Sequence, residues 1–341
     1  MKNNKIGIYT IQSFNYGNRL QNYALQEILR KQGYQVFSIL NSADASSIKT
    51  QIKGIIKRHF SQDRRSNFYR FNKMIEYSSH YIGENSISID SEFYYAIIAG
   101  SDQIWNTNFN FVTKNAFLPF KHPRKISYAA SFGTDDITLD NNAIKYIEDF
   151  KRLSVREEAG KKIIESYTKK HAEVVVDPTL LLTDNEWRKV SKKPKKAKEG
   201  YILTYFLSPK CFEAQKTLER IKGDSEVYEL LDPNDSVAGS AGPAEFLWLF
   251  DHADMILTDS FHACVFSFLF NKPFNVYDRN WKEGNMNSRL ETFLSKFHLE
   301  RKYANSRLEN NIWEHEYSEG YAILEEERNN AIDFLKKALV E

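Results

Sequence analysis

KIGIYTIQSFNYGNRLQNYALQEILRKQGYQVFSIL, residues 5–40, decides the fold class. It opens with a β-branched run, KIGIYTI, followed by a polar, glycine-containing loop, SFNYGNRLQN. YALQEILRKQGY then carries apolar residues at helical spacing, at Tyr23, Leu25, Ile28 and Leu29. Gly33 stands where a helix would take its C-cap glycine. QVFSIL reads as a second strand. Strand, helix and strand in this order form a βαβ unit, which implies a parallel sheet.

The alternation continues outward. YYAIIAG (94–100), KISYAA (125–130), RLSVRE (152–157) and AEVVVDP (172–178) read as strands, with helical NNAIKYIEDF and EEAGKKIIESY between the later ones. A second series follows. YILTYFL, EVYELL, ADMILT and PFNVYD are strand-like; CFEAQKTLERIK, GPAEFLWLFDHA, SFHACVFSFLF and GNMNSRLETFLSKFHL are helical. The tail is a long amphipathic helix. Between the two series lies KVSKKPKKAKEG (189–200), with six lysines and no apolar period, read as an exposed linker. The expected organisation is residues 1–188, the linker 189–200, residues 201–318 and a terminal helix 319–341. A chain of 341 residues suits two cores better than one. The fold class is α/β, with two Rossmann-like domains whose parallel sheets face a central cleft. Ligands of such sheets sit at the carboxyl ends of the strands.

Composition excludes several classes. Apolar residues make up 42% and charged residues 27%, as in ordinary globular proteins. The net charge of +2 gives no global attraction for nucleic acid. Two cysteines, Cys211 and Cys264, without metal-ligand spacing, fit a reducing cytoplasm. The N-terminus is too short and polar for a signal peptide, and no apolar run is long enough to span a bilayer. One region is locally basic. From Lys49 to Lys73, inside a helical excursion at 46–78, eight Lys and Arg stand against one acid, with Ile, Phe and Tyr interleaved. Such a segment suits a solvated helix, or contact with anionic phospholipid or a lipid-linked phosphate.

Candidate chemistry gathers where strands end. His262 follows the ADMIL strand in the first turn of an apolar helix, with Asp259 or Ser260 as N-cap. Free backbone N–H groups, the positive end of the helix dipole and an imidazole together make an anion site. Arg156 ends another strand, where it can fork onto a carboxylate or phosphate or pair with Glu157 or Glu158. The first loop offers Asn15, Asn18, Arg19, Gln21 and Asn22, amide-rich and suited to a sugar. AGSDQIWN adds Asp102, and Trp105 as a stacking ring. Arg289 lies early in a later helix. One glycine in the first loop is too few for a dinucleotide fingerprint, and there is no zinc spacing, P-loop or DxD pair.

Taken in order, NYGNRLQNYALQ, IIAGSDQIWN, ISYAASFG, LSVREEAG, VVDPTLLL, LTDSFHACVFSFLFNKPF and NSRLETFL resemble the polysaccharide pyruvyltransferase family, over about residues 5 to 297. The resemblance implies a GT-B-like fold. It implies transfer of a pyruvyl group from phosphoenolpyruvate to two hydroxyls of a sugar, forming a cyclic ketal and releasing phosphate. It also places the donor on Arg156 and His262. Two departures stand out. Ser260-Phe261 replace the Arg-Leu that many members carry before the histidine, so Arg289 is expected to supply the missing charge. Asn18-Arg19 follow Gly17 where other members have Gly-Asp, so the general base falls to Asp102 or Asp259. On this reading Arg156, Ser260, Phe261, His262 and Arg289 bind phosphoenolpyruvate, and His262 protonates it. Asn15, Asn18, Arg19, Gln21, Asn22 and Trp105 face the acceptor, free or lipid-linked. The scheme needs no metal and no organic cofactor. The resemblance further implies a cytoplasmic enzyme of capsule or surface-polysaccharide assembly, at the inner face of the membrane if residues 49–73 dock there. Two other classes share the fold: a glycosyltransferase with a nucleotide-sugar donor, and a non-catalytic carbohydrate-binding protein.

Overall fold

A computed structural model of the chain describes residues 3–41, 63–82, 93–110, 112–279, 288–304 and 311–340. The chain divides into two compact units: residues 1–60, 72–181 and 326–341, and residues 61–71 with 182–325.

In the first unit, β1 (Lys5–Tyr9), β2 (Gln35–Asn41), β3 (Tyr77–Ile82), β4 (Ala96–Ala99) and β5 (Lys125–Ser127) form a parallel sheet of order β3-β2-β1-β4-β5. The βαβ opening is therefore present, with α1 (Tyr16–Lys31) as its crossover. Asn15 caps α1, its side chain accepting from the Asn18 amide, a cap that contributes about 1 kcal/mol. β6 (Leu153–Val155) pairs with β7 (Ala172–Val174), and single bridges, Ile126 to Arg152 and Ala130 to Val155, link this pair to β5 and the segment after it. The expected linker does not divide the units: residues 189–200 belong wholly to the second. Of the basic excursion, residues 46–62 lie outside the described residues; in the remainder α2 (Arg64–Asn72) is helical, and Tyr77 and Ser78 already belong to β3.

In the second unit, β8 (Tyr201–Tyr205), β9 (Glu226–Leu230), β10 (Met255–Thr258) and β11 (Phe274–Val276) form a parallel sheet of order β11-β10-β8-β9. After α3 (Asn141–Glu148), α4 (Glu158–Tyr167), α5 (Pro178–Leu181), α6 (Asp184–Val190) and α7 (Phe212–Ile221) come α8 (Pro243–Asp251) and α9 (Phe261–Leu269), which supply much of the sheet's apolar packing. Phe246 and Phe266 meet edge to face at 5.6 Å, and Trp187 meets Phe266 at 5.1 Å.

Each sheet has one place where strand order reverses: between β1 and β4 in the first, and between β8 and β10 in the second. There the loops leaving the two strands diverge to opposite faces and open a crevice. The candidate residues cluster at these two places.

Candidate active site

The first crevice is built by the loops after β1 and β4. Thr10 at the end of β1 donates its hydroxyl to the Ser101 carbonyl at 2.9 Å, tying the loops together. Asp102 follows with φ of +72°. A left-handed backbone is uncommon outside glycine, is best tolerated by Asp and Asn, and concentrates at functional sites. The Asp102 side chain accepts a hydrogen bond from the Asn18 amide, which enters from α1. Its other oxygen lies 3.6 Å from Arg156, at the end of β6.

Arg156 is almost fully buried among three carboxylates. It donates to Asp177 at 2.7 Å, faces Asp102 at 3.6 Å and stands 4.0 Å from Glu157. Burial opposes its charge, but Asp177, Asp102 and Glu157 outweigh that, so its pKa is raised above the ordinary arginine value. Of the glutamates considered as partners, Glu157 turns elsewhere: its carboxylate accepts the amides of Phe132 at 3.0 Å and Gly133 at 3.3 Å. The close partner is Asp177, which sequence reasoning missed. It also accepts from Ser101 at 2.9 Å and from the Thr179 amide at 3.0 Å and hydroxyl at 2.7 Å. Its position directly after the VVV run was the available signal. One guanidinium against three carboxylates makes this cluster net negative. The Arg156 guanidinium is thus already engaged by carboxylates of its own chain.

Several acceptor candidates are structural instead. Trp105 is 0% exposed. Its indole N–H donates to the Ala116 carbonyl at 3.0 Å, and its ring packs on Phe117, Phe132 and Phe150 at 5.4–5.9 Å. No sugar can stack on it. Gln21 and Asn22 are also fully buried: Gln21 donates to Thr10 at 2.9 Å, and Asn22 accepts from Ser38 at 2.8 Å. They brace α1 against β1 and β2. Asn15 is occupied as the cap. Arg19 donates to Gln12 at 2.8 Å. From the first loop, Asn18 is held directly against Asp102.

The second crevice is built by the loops after β8 and β10. Asp259 is buried and its carboxylate holds the β8 loop. It accepts the Leu207 amide at 2.7 Å, the Ser208 amide at 3.0 Å and the Ser208 hydroxyl at 2.8 Å. Arg279 approaches the same carboxylate at 3.7 Å and donates to the Asp259 carbonyl at 3.1 Å. Those bonds tie Asp259 to the β8 loop, and it is not the N-cap of the following helix. Ser260 is the N-cap of α9, without a side-chain cap bond.

His262 is the second residue of α9, buried, with its ring edge-on to Phe261 at 5.2 Å. Phe261 itself packs on Phe293 at 5.8 Å, which makes it a wall of the core and corrects its donor-binding expectation. Arg289 is buried in the first turn of α10 (Ser288–Lys296). Arg279, the residue directly after the expected PFNVYD strand, was missed. Its signal was a cation just past an apolar run. Cys264 is no nucleophile: burial pushes its thiol well up, and its Sγ donates to the Ser260 carbonyl at 3.2 Å. Among the described residues, no group of three or more His, Cys, Asp and Glu could hold a metal ion. No described helix is long and apolar enough to cross a membrane.

A family model described as "Polysaccharide pyruvyl transferase" matches residues 15–280. No curated protein matches in sequence. Among solved structures, a Listeria monocytogenes chain assigned as a UDP-N-acetylglucosamine 2-epimerase is similar, with TM-score 0.52 and 10% identity. That match covers 98% of this chain and 91% of the other. Arabidopsis thaliana UGT89C1 gives TM-score 0.51 at 10% identity over 99% and 100% of the two chains. MnaA of S. aureus, solved with UDP, gives 0.50 at 11% over 95% and 87%. At such identities these likenesses establish the fold alone, which is GT-B-like.

Proposed function

We propose, for a chain that belongs to the polysaccharide pyruvyl transferase family, that the donor is phosphoenolpyruvate. The acceptor is a sugar presenting two hydroxyls, within a surface-polysaccharide precursor. The reaction would take place in the cytoplasm. The observation that carries this reading is the buried Asn18–Asp102–Arg156 cluster, with Asp102 in a left-handed backbone at the end of β4.

The roles follow from charge. Phosphoenolpyruvate bears a carboxylate and a phosphate, so it needs cations and free amides. The second unit carries candidates for these in Arg289, Arg279, the N-terminal turn of α9 and His262. The first crevice is net negative and suits the neutral acceptor. His262 gives a proton to C3 of the donor, which makes C2 electrophilic. One sugar hydroxyl adds to C2 while Asp102 accepts its proton. Phosphate then leaves as the second hydroxyl closes the ketal, and that hydroxyl's proton goes to the departing phosphate. Arg156 is a positioning residue that holds Asp102 oriented.

The reading is tested by phosphate release from phosphoenolpyruvate, with a panel of galactosides, glucosides and N-acetylmannosaminides, free and lipid-linked. Acceptor-dependent release, lost at least 100-fold in His262→Ala with the melting temperature kept, is expected. A protein that binds nucleotide sugars but not phosphoenolpyruvate overturns it in favour of a glycosyltransferase. The non-catalytic carbohydrate-binding reading has lost its stacking platform, because Trp105 is internal.

A further inference from the structure

The second unit holds a pocket of about 350 Å³ lined by none of the candidate site residues, at the small end of the range for ligand clefts. Its charge is unusual. Arg70, Lys192, Lys193, Lys195 and Lys196 line it against one carboxylate, Glu245. That is five cations to one anion in a chain whose overall balance is +2.

The lysine segment is not a loose tether. Its Lys192 amide donates to the Ala244 carbonyl at 2.9 Å, and its Lys192 ammonium pairs with Glu245 at 3.3 Å. Lys193 sits 5.1 Å above the Trp248 ring. Pro194 is buried, and the Ala197 amide closes a turn onto its carbonyl at 3.3 Å. Lys196 has φ of +62°, a conformation a lysine adopts only when its surroundings impose it. The opposite wall is fixed as well. Asn67 of α2 donates to the Ser240 carbonyl at 2.7 Å and packs so closely on Gly242 that a Cβ there would lie 2.6 Å from the Asn67 Cβ. Arg70 donates to Asn67. Glu245 is partly spent on the Gly242 amide at 3.1 Å.

Holding like charges together on a braced frame costs free energy that a bound anion offsets. A single carboxylate would leave most of the excess uncompensated, whereas a phosphate group of charge −2 or more would not. We infer that this pocket binds a phosphate-bearing group, a monoester or diphosphate, at a site separate from both crevices. The inference does not rest on the proposed pyruvyl transfer, since none of the pocket residues serves that reaction. The same chemistry comes from two sources, a phospholipid or lipid-linked headgroup and a soluble phosphate, and the test separates them.

Lysine acetylation read by mass spectrometry reports the pocket directly. The intact chain is labelled alone, with inorganic pyrophosphate, and with vesicles of phosphatidylcholine or of phosphatidic acid in phosphatidylcholine. Protection of Lys195 and Lys196 beyond that of Lys336 and Lys337, which belong to the first unit, is expected, weakening as salt rises. In Arg70→Glu the concentration for half-protection should rise at least tenfold. Lys196→Gly, which suits the positive φ and therefore folds, should weaken protection of Lys195 in the same direction. Protection by pyrophosphate alone assigns a soluble ligand; protection by phosphatidic acid vesicles assigns a headgroup. Equal protection of Lys336 and Lys337, no protection by either probe, or unchanged protection in both variants overturns the site.

Discussion

Arg156 and Asp177, 21 positions apart in sequence, meet in a 2.7 Å hydrogen bond with both side chains buried. Asp177 is fully committed, accepting also from Ser101 and Thr179. Because the guanidinium's pKa is raised, its charge persists at any practical pH. Replacing Asp177 by Ala therefore leaves a buried charge short of its nearest counterion. We expect a loss of about 3 kcal/mol, the low end for a broken buried pair, since Asp102 and Glu157 remain. Urea denaturation measures it; a loss under 1 kcal/mol would mean that Asp102 and Glu157 alone compensate the guanidinium.

Asp102 and Asp259 separate the two candidate bases. Asp102→Asn keeps a residue that tolerates φ of +72°, so its melting temperature should stay within a few degrees of wild type. Its turnover should fall 100-fold or more, as for a lost general base. Asp259→Ala removes three hydrogen bonds that hold the Leu207–Ser208 loop. It should cost about 3 kcal/mol, at about 1 kcal/mol per bond. Calorimetry alongside phosphate release distinguishes the two patterns. Full activity in Asp102→Asn would remove Asp102 from the mechanism.

Trp105 provides a contrast between binding and packing. Trp105→Ala should cost about 3–5 kcal/mol, the usual range for a large buried aromatic, because its ring packs on Phe117, Phe132 and Phe150. Trp105→Phe loses the donor to Ala116 and should cost about 1–2 kcal/mol. A stable Trp105→Ala protein with weakened sugar binding would contradict the core assignment.

These residues also show what was legible in the sequence. Apolar runs located nearly every strand, because a parallel strand covered on both faces must be continuously apolar. β3, YSSHYI, escaped: it is an edge strand, pairs only with β2 and needs no such run. Position relative to strands found His262, Asp102 and Arg156, since site residues follow strand ends. It could not tell Trp105 from a platform, or Asp259 from an N-cap. Those distinctions depend on which distant groups satisfy each side chain, here Ala116 and Leu207, and local pattern carries no trace of them. Asp177 escaped for the same reason.

Lys302 supplies a pH signature independent of the site. Its ammonium is buried, donates to the carbonyl of Glu314 and lies 5.9 Å above the Tyr317 ring. Burial lowers its pKa to about 8, against the weaker opposing pull of Glu314. The sign follows from proton counting. Between about pH 8 and the ordinary lysine value the unfolded chain holds the proton that the folded chain has released. Stability from this group therefore rises with pH across that window and is at its lowest below it. Lys302→Met removes the titration while keeping the apolar stem. Melting curves of both proteins at pH 7.5, 8.5 and 9.5 should show wild type gaining on the variant at each step. A difference that stays constant with pH would mean that Lys302 titrates as an ordinary, solvated lysine.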